Sequence, residues 1–262
     1  MQAEGNAKNS AIETIAEWIR AAHQFVAFTG AGMSTESGIP DFRSPGGIWS
    51  QSQPVYYEDF LSSAAARHEY WRQKSISHQD FARAEPNVGH QVLAEWEHDE
   101  TLQAIITQNI DGLHQLAGSR HVVELHGTAR AIECLDCGQR FEVDPLVQRF
   151  LEKDEVPPCP VCQGRLKHAT ISFGQALVPE VLEEALSLAQ GSDLFLAMGS
   201  SLVVEPAASL PWLAKRNGAR LVILNRDPTP LDQIADLALH VPLGLTLSSI
   251  SGALRRYRAS EN

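Results

Sequence analysis

The chain is poor in basic residues and has no long apolar stretch. It carries 21 Lys and Arg against 32 Asp and Glu, a formal net charge of −11. Tight, sequence-independent binding to nucleic acid is therefore disfavoured, because such binding requires cations that neutralise phosphates. No run of about 18 apolar residues occurs, which argues against a membrane-spanning helix. The first residues also lack the basic segment, apolar stretch and cleavage site of an export signal. We expect a cytoplasmic protein with no membrane or direct nucleic-acid partner.

Low-complexity runs and internal repeats are absent too. The hydrophobic fraction of 44% and the charged fraction of 20% are ordinary for a globular chain and give no indication of disorder. At 262 residues the chain exceeds the usual size of one domain without requiring two. One large domain that carries a smaller insertion is the natural expectation.

Short apolar segments alternate with amphipathic helical stripes along most of the chain. This alternation predicts an α/β fold with a parallel sheet, because parallel strands need helical crossovers. A first helix is expected to begin at a capping box of Ser10 and Glu13 and to run to about Ala22. Buried strands are predicted at 25–28, 104–107, 121–125, 194–198 and 221–224.

Two segments interrupt this alternation and are predicted to be insertions. The first, roughly 36–85, begins as a Gly/Pro/Ser loop and becomes helical around 64–76, and the second, roughly 131–170, contains every cysteine. We therefore expect three units. They are a Rossmann-like domain formed by 1–35, 91–130 and 171–262, a cofactor-binding loop with a helical module at 36–90, and a zinc-binding module at 131–170.

The only four cysteines form two C-x2-C pairs, Cys134 with Cys137 and Cys159 with Cys162. Each pair can present two thiolates to one metal, and two pairs complete the tetrahedral S4 shell of zinc. The closed shell indicates a structural zinc ion. Two disulfides are the alternative, which the reducing cytosol disfavours.

A glycine-rich turn follows the first predicted strand. Gly30, Ala31 and Gly32 would allow backbone N–H groups to approach a pyrophosphate. The dinucleotide fingerprint G-x-G-x-x-G is nevertheless incomplete, because Thr35 stands where the third glycine belongs, and no P-loop motif occurs. By spacing alone, an ordinary strand-turn-helix remains as good an interpretation as a nucleotide site. The turn-rich segment 38–47 resembles a flap over a ligand, where Phe42 would exclude water and Arg43 would meet phosphate.

Several longer motifs occur in a fixed order and together resemble the sirtuin family. They are Gly-Ala-Gly-Met-Ser at 30–34, Gly-Ile-Pro-Asp-Phe-Arg at 38–43, Thr-Gln-Asn-Ile-Asp-Gly-Leu-His at 107–114, Leu-His-Gly at 125–127, the two cysteine pairs, and Gly-Ser-Ser-Leu at 199–202. The resemblance covers about 15–247. It implies a Rossmann-like domain, a zinc-binding small domain and a helical module, with NAD and an acyl-lysine substrate meeting in the cleft between them.

The resemblance also implies a reaction. NAD is consumed as co-substrate, and an acetyl-lysine protein or peptide is converted to lysine, nicotinamide and O-acetyl-ADP-ribose. His126 is the expected catalytic base, since an imidazole can take a proton from a ribose hydroxyl near neutral pH. Asn109 is expected to join it in catalysis. The Asp111 carboxylate and the Ile110 backbone are expected to recognise the nicotinamide carboxamide, and Gln108 to contact a ribose.

The same resemblance assigns the remaining site residues. Small side chains and hydroxyls at a strand end suit a ribose and phosphate, and an extended peptide can pair with a strand edge. The expected cofactor-binding residues are Gly30, Ala31, Gly32, Thr35, Asp41, Phe42, Arg43, Gln108, Asn109, Ile110, Asp111, Gly199, Ser200, Ser201 and Asn225. Those expected to bind substrate are Ile171, Phe173, Gly174 and Val204.

Some positions depart from the family pattern. Gln175 replaces a usual Glu, and Lys167-His168 replaces a usual Arg-Pro, which puts details of peptide binding in question. Relatives that prefer acidic acyl groups carry Tyr-x-x-Arg, but the spacing between Tyr70 and Arg72 is wrong, so a neutral acyl group is favoured. His114 is interpreted as structural and the remaining histidines as surface residues. Mono-ADP-ribosyl transfer to protein and a non-catalytic NAD and zinc sensor are the alternative functions.

Overall fold

The computed structural model describes residues 2–41 and 53–261. Nine strands lie within these ranges. They are β1 Phe25–Thr29, β2 Ala104–Thr107, β3 Val122–Glu124, β4 Gly127–Cys134, β5 Arg140–Phe141, β6 Leu166–Thr170, β7 Leu194–Met198, β8 Arg220–Asn225 and β9 Leu237–His240.

Nine α-helices lie within the same ranges, together with short 3-10 turns at Ala31–Met33 and Thr35–Ser37. The helices are α1 Gln2–Ala21, α2 Tyr57–Ser62, α3 Ala64–Arg83, α4 Val88–His98, α5 Leu113–Leu116, α6 Val143–Lys153, α7 Pro179–Gly191, α8 Ser209–Arg216 and α9 Leu243–Glu261. None of the described helices combines the length and apolarity needed to cross a membrane.

Six strands form a parallel sheet in the order β3-β2-β1-β7-β8-β9. This is the doubly wound Rossmann order, in which the chain leaves the first strand in one direction and later returns on its other side. β1 therefore pairs with β2 on one side and with β7 on the other. Ligands bind in such sheets at the carboxyl ends of the strands where the direction reverses, which here are the ends of β1 and β7.

Helices cover both faces of the six-stranded sheet, which explains why its central strands are continuously apolar. On one face Ile15, Trp96 and Leu247 of α1, α4 and α9 belong to one hydrophobic cluster, and on the other Ala185 and Leu210 of α7 and α8 belong to a second. β1 and β7 are buried along their whole length. The predicted α/β class with a Rossmann-like parallel sheet is confirmed.

A second, antiparallel sheet has the order β5-β4-β6 and holds the cysteines at one end. It packs with α3 and α6 around a third hydrophobic cluster that includes Trp71, Phe150 and the buried Cys134 and Cys159. The predicted helix of the first insertion is thus present as α3, and the second insertion contains α6. β4 follows His126 directly, so the small sheet and the catalytic candidate are adjacent along the chain.

The predicted start of the first helix is wrong. α1 begins at Gln2, and the carbonyl of Ser10 accepts a hydrogen bond from the Thr14 hydroxyl inside the helix (3.0 Å). Residues 2–9 include the good helix formers Gln, Ala, Glu and Lys, so the helix continues upstream of the apparent capping box.

Candidate active site

A cavity of about 1170 Å³ opens at the carboxyl ends of β1, β7 and β8. It exceeds the usual size of a small-ligand pocket, so a dinucleotide and part of a second substrate can share it. Most of the predicted site residues line it. These are Ala31, Gly32, Thr35, Asp41, Gln108, Asn109, Ile110, His126, Ile171, Phe173, Gly174, Gly199, Ser200, Ser201, Val204 and Asn225.

Two of the predicted residues that the structure describes lie outside this lining. Gly30 and Asp111 are not among the residues that line the cavity. Phe42 and Arg43 lie outside the residues that the structure describes.

The glycine-rich turn packs directly against the end of β7. The Gly32 N–H donates to the Gly199 carbonyl (2.8 Å), and a Cβ on Gly30 or Gly32 would come within 2.8 Å of backbone or Cβ atoms at 199–200. Gly199 itself has φ of +60°. The glycines are therefore required by the close approach of two strand ends, a reason that the incomplete fingerprint did not reveal.

His126 lies in the cavity wall with its tautomer fixed. Its Nδ1 is 2.9 Å from the Gln108 carbonyl oxygen, which can only accept, so Nδ1 carries the proton. The Nε2 lone pair is then available to accept a proton. Burial lowers the pKa of His126 below the usual 6.5, opposed by the hydrogen bond to Gln108. The neutral, basic form is thus favoured at neutral pH.

Asn109 is held by a buried polar network. Its Nδ2 donates to the Gly30 carbonyl (3.0 Å) and the Ser34 hydroxyl (3.1 Å), and its backbone N–H donates to Thr107 Oγ1 (3.1 Å). Both amide hydrogens are used, so Oδ1 remains as an acceptor on a side chain that lines the cavity. This geometry can orient a hydroxyl or a water molecule.

Asp111 lies behind the cavity wall and is almost fully buried. Its Oδ2 accepts from the Ser34 hydroxyl (2.7 Å) and its Oδ1 from the Leu113 N–H (2.9 Å). Ser34 therefore joins Asn109 to Asp111 through one hydroxyl. Sequence reasoning missed Ser34 as a site residue, although it belongs to the Gly-Ala-Gly-Met-Ser motif and a small hydroxyl after a glycine turn could have indicated it.

Other predicted cofactor residues make defined contacts at the strand ends. Gln108 Nε2 donates to Ser200 Oγ (2.8 Å), which links the end of β2 to the turn after β7. Asn225 Nδ2 donates to the Asp227 carbonyl (2.7 Å). Asp41 Oδ2 lies 3.6 Å from an Arg226 guanidinium nitrogen. These contacts arrange amide, hydroxyl and carboxylate groups along the cavity.

Three of the four substrate candidates, Ile171, Phe173 and Gly174, follow β6 along the chain, and the fourth, Val204, follows β7. The Ile171 N–H donates to the His126 carbonyl (2.8 Å), which fixes the segment after β6 beside the catalytic candidate. Phe173 is 40% exposed, and its ring lies 6.0 Å from that of Tyr56. An exposed aromatic pair beside a cavity can cover the aliphatic stem of a long side chain.

The expectation that most histidines lie at the surface is wrong for two of them. His90 and His168 are fully buried, as is His114. His90 N-caps α4 together with Asn87 and packs edge-on against His114, with ring centroids 4.8 Å apart. His168 lies in β6 near Tyr70 and Trp71. A histidine in a polar stretch of sequence gives no indication of burial, because tertiary packing decides it.

Lys167 and His168, which depart from the family pattern, are buried and do not face a peptide. Lys167 is 1% exposed and donates to the carbonyls of His168 and Thr170. Burial lowers the pKa of Lys167 to about 7. Arg72 is occupied by a bidentate ion pair with Glu69 (2.7 Å).

The four cysteine thiols meet at one point, as predicted. Their sulfurs all lie within 4.8 Å of one another and none forms a disulfide. The Cys134–Cys162 and Cys137–Cys159 sulfur distances are 3.5 and 3.8 Å. A tetrahedral S4 shell with zinc–sulfur bonds of ~2.3 Å separates its sulfurs by about 3.8 Å. The donor set and its spacing fit a structural zinc ion.

Comparison with known proteins shows the family of the chain. A sequence model of the Sir2 family matches residues 30–206. The chain is 48% identical to NAD-dependent protein deacetylase 1 of Bradyrhizobium diazoefficiens over 93% of its length and 96% of the relative, and 48% identical to NAD-dependent protein deacetylase of Rhodopseudomonas palustris over 93% and 97%.

Solved structures give the same result at the level of the fold. A Sir2 complex with p53 peptide and NAD+ superposes with a TM-score of 0.81 at 35% identity, covering 95% of this chain and 98% of that one. A Sir2 histidine-to-alanine variant with deacetylated p53 peptide and 3'-O-acetyl-ADP-ribose gives 0.85 at 34% identity, covering 92% and 97%. The chain belongs to the Sir2 family.

Proposed function

We propose that the cavity is the site of NAD-dependent protein lysine deacetylation and that His126 is its general base. The chain is an NAD-dependent protein deacetylase of the Sir2 family. It converts acetyl-lysine, NAD and water to lysine, nicotinamide and O-acetyl-ADP-ribose. The observation that best supports the assignment of the base is the His126–Gln108 contact, which leaves a neutral Nε2 acceptor in the cavity wall.

With NAD as co-substrate, the acetyl oxygen would attack the ribose carbon that bears nicotinamide, and the bond from that carbon to the nicotinamide nitrogen would break to release nicotinamide. His126 then takes the proton of a ribose hydroxyl through Nε2 as that hydroxyl attacks the acetyl carbon. Its Nδ1–H keeps the ring oriented by donating to Gln108, and it stabilises the imidazolium that forms. General-base catalysis of this kind contributes roughly 10² to 10⁴ in rate.

Asn109 is proposed to contact the ribose side of the glycosidic bond that breaks, and Asp111 the nicotinamide side. The free Oδ1 of Asn109 accepts from a ribose hydroxyl or water, which holds the nucleophile in place. The Ile110 N–H and the Asp111 carboxylate recognise the carboxamide of nicotinamide. Each carboxylate oxygen of Asp111 already accepts one hydrogen bond, and each has a second lone pair for the carboxamide N–H2.

The rest of NAD is proposed to lie along the carboxyl ends of β1, β7 and β8. The backbone of 30–32 and the side chains of Thr35, Ser200 and Ser201 would contact its phosphates and riboses, with Gln108, Asp41 and Asn225 beside them. Phe42 and Arg43 are assigned to the same site on the resemblance alone. Lining of a single cavity by nearly all of these residues supports the assignment.

The protein substrate is proposed to present acetyl-lysine between Phe173-Gly174 and Val204, with Ile171 beside the acyl group. Relatives of known structure were solved with p53 peptides and with a propionylated peptide. Arg72 is held by Glu69 and lacks the family spacing to Tyr70, which supports a preference for neutral acyl groups. Four unpaired thiols suit a reducing compartment, which supports a cytoplasmic location.

Mass spectrometry of an acetyl-lysine peptide incubated with NAD tests the proposal. The wild-type protein is expected to remove the acetyl group and release nicotinamide, and His126→Ala to lose at least a hundredfold in rate. A heavier protein product without peptide deacetylation would instead indicate mono-ADP-ribosyl transfer. NAD binding without nicotinamide release would indicate a sensor. Faster removal of succinyl than acetyl would contradict the acyl preference.

A further inference from the structure

Arg130 lies outside the cavity lining but reaches the loop that carries Ile110 and Asp111. It is the fourth residue of β4, the strand that runs from Gly127 to the zinc ligand Cys134. Its Nε donates to the Asp111 carbonyl at 2.7 Å. A side chain of the zinc-binding sheet is therefore in direct contact with the backbone of the proposed nicotinamide loop.

The residue before Arg130 makes a parallel contact. The Ala129 N–H donates to the Ile110 carbonyl at 2.8 Å. Because a peptide group is planar and rigid, holding the carbonyls of Ile110 and Asp111 fixes the peptide planes on both sides of the Asp111 Cα. The direction of the Asp111 side chain is thus set from β4, one plane by a backbone donor and the other by the Arg130 guanidinium.

The Arg130 side chain also covers the next residue of the loop. Gly112 has φ of +69°, and a Cβ there would lie 3.0 to 3.2 Å from Arg130 Nε, Cδ and Cγ. Arg130 Nη2 lies 3.4 Å from the Phe81 carbonyl near the end of α3, and Phe81 lines the cavity. One guanidinium therefore joins the loop, the helical module and the zinc-binding sheet.

We propose that Arg130 is a positioning residue for nicotinamide recognition, acting through the Asp111 backbone. This inference rests on the proposed function, since it takes Ile110 and Asp111 as the carboxamide contacts. A guanidinium donating to a carbonyl is a charge-assisted hydrogen bond, stronger than a neutral one. Lysine can replace only part of it, because a single ammonium cannot span the Asp111 and Phe81 carbonyls as the planar fork does.

The test compares the affinities of NAD and ADP-ribose, which lacks nicotinamide, by calorimetric titration of the zinc-loaded full chain. Arg130→Met keeps an unbranched stem over Gly112 and removes the donors. It is expected to weaken NAD binding and nicotinamide inhibition roughly three- to tenfold, less than a direct charge-assisted bond would, because the contact acts through the loop. ADP-ribose affinity, peptide KM, zinc content and melting temperature should stay at wild-type values, and Arg130→Lys should recover part of the loss.

Arg140→Met is the matched control, since Arg140 lies in the same small sheet and its guanidinium forms an ion pair with Glu133 (2.9 Å). Equal loss of NAD and ADP-ribose affinity, or zinc loss with a lower melting temperature, would overturn the inference in favour of a general structural role. Unchanged NAD binding and nicotinamide inhibition in Arg130→Met would also overturn it. A wild-type protein that binds NAD without deacetylating the peptide would refute the proposed function instead. The ratio of NAD affinity to ADP-ribose affinity, compared between wild type and Arg130→Met, would still decide the role of Arg130.

Discussion

At the scale of single residues, hydrogen bonding determines which atoms can react. Gln108 fixes the proton of His126 on Nδ1, and Ser34 uses both a donor and an acceptor role between Asn109 and Asp111. Among the described residues, these neighbours leave His126 Nε2 and Asn109 Oδ1 without a hydrogen-bond partner. The chemistry thus depends on residues that do not themselves react.

The pH dependence of the reaction should follow the low pKa of His126. Burial favours the neutral ring, so the base stays competent as pH falls through 6.5 and is lost only when pH passes its lowered pKa. We expect kcat/KM to hold constant to below pH 6.5 before it declines. A profile of kcat/KM against pH measures this, with His121→Gln as a control at an exposed histidine. An acidic limb at or above 6.5 would contradict the assignment.

Removal of the Ser34 hydroxyl should impair the site without unfolding the protein. In Ser34→Ala an Asn109 amide hydrogen and an Asp111 oxygen lose their shared buried partner, a cost of about 1–3 kcal/mol. We expect kcat/KM to fall roughly ten- to hundredfold. Ser249→Ala is the control, because Ser249 lies on the exposed face of α9 and its hydroxyl donates to the Leu245 carbonyl of the same helix. This variant should retain full activity. Equal activity of the two variants would exclude the role given to Ser34.

At the scale of elements, β4 connects the metal site to the catalytic wall. It starts at Gly127, next to His126, pairs with β6 and ends at Cys134. Gly127 has φ of +68°, and a Cβ there would lie 2.1 Å from the Ala169 carbonyl oxygen, so only glycine permits this close pairing. The zinc module therefore acts as a support for the loop and strand that carry the site.

Loss of zinc should abolish activity indirectly. Cys137→Ser leaves three thiolates and breaks the closed shell, so we expect loss of the one zinc ion per chain and a lower melting temperature. Elemental analysis and thermal unfolding measure both effects. Wild-type protein stripped by a chelator and then resupplied with zinc is the control. Full activity of the metal-free protein would refute a supporting role for the module.

At the scale of the whole molecule, the sheet order brings distant segments into one site. The ends of β1, β2, β7 and β8 are separated by many residues along the chain, yet they meet around one cavity. All the strands of this sheet are parallel, and the side of the sheet on which the chain adds new strands changes between β3 and β7, so these carboxyl ends lie side by side. The same packing buries His90 and His114 beneath the site, where one ring nitrogen of each has no hydrogen-bond partner in the part of the chain that the structure describes.

These buried histidines should make the fold sensitive to acid. Burial lowers the pKa of His90 to about 4, opposed by Asp111 and Glu36, and burial together with His90 lowers that of His114 to about 3. Both pKa values are depressed in the folded state, so their stability contribution is present above pH 6.5 and is lost as pH falls toward 4. We expect the melting temperature to fall from pH 7 to 5, less steeply in His90→Gln than in the exposed control His23→Gln. An equal fall in melting temperature from pH 7 to 5 in the two variants would show that His90 is not the source of the acid sensitivity.

Much of this architecture follows from local pattern. Short apolar runs and turn glycines identified β1, β2 and β7, since a doubly covered strand must be apolar along its length. Paired cysteines identified the metal site because the spacing of thiolates is itself the chemical requirement. The upstream extension of α1 and the burial of His90 and His168 were not predicted. Where a helix begins and which side chains are buried depend on many weak interactions, whose sum is set by the whole fold.

The sequence by itself determined the parallel α/β class and the S4 metal site, because these depend on periodicity and on side-chain chemistry at fixed spacing. Its resemblance to a known family supplied the predicted site residues, most of which line the cavity. Only the tertiary structure decided which proton His126 carries, that Ser34 joins Asn109 to Asp111, and that Arg130 reaches the same loop from the zinc-binding sheet. Those relations join atoms from strands far apart in the chain, and hydrogen-bond geometry between them exists only once the sheet is assembled.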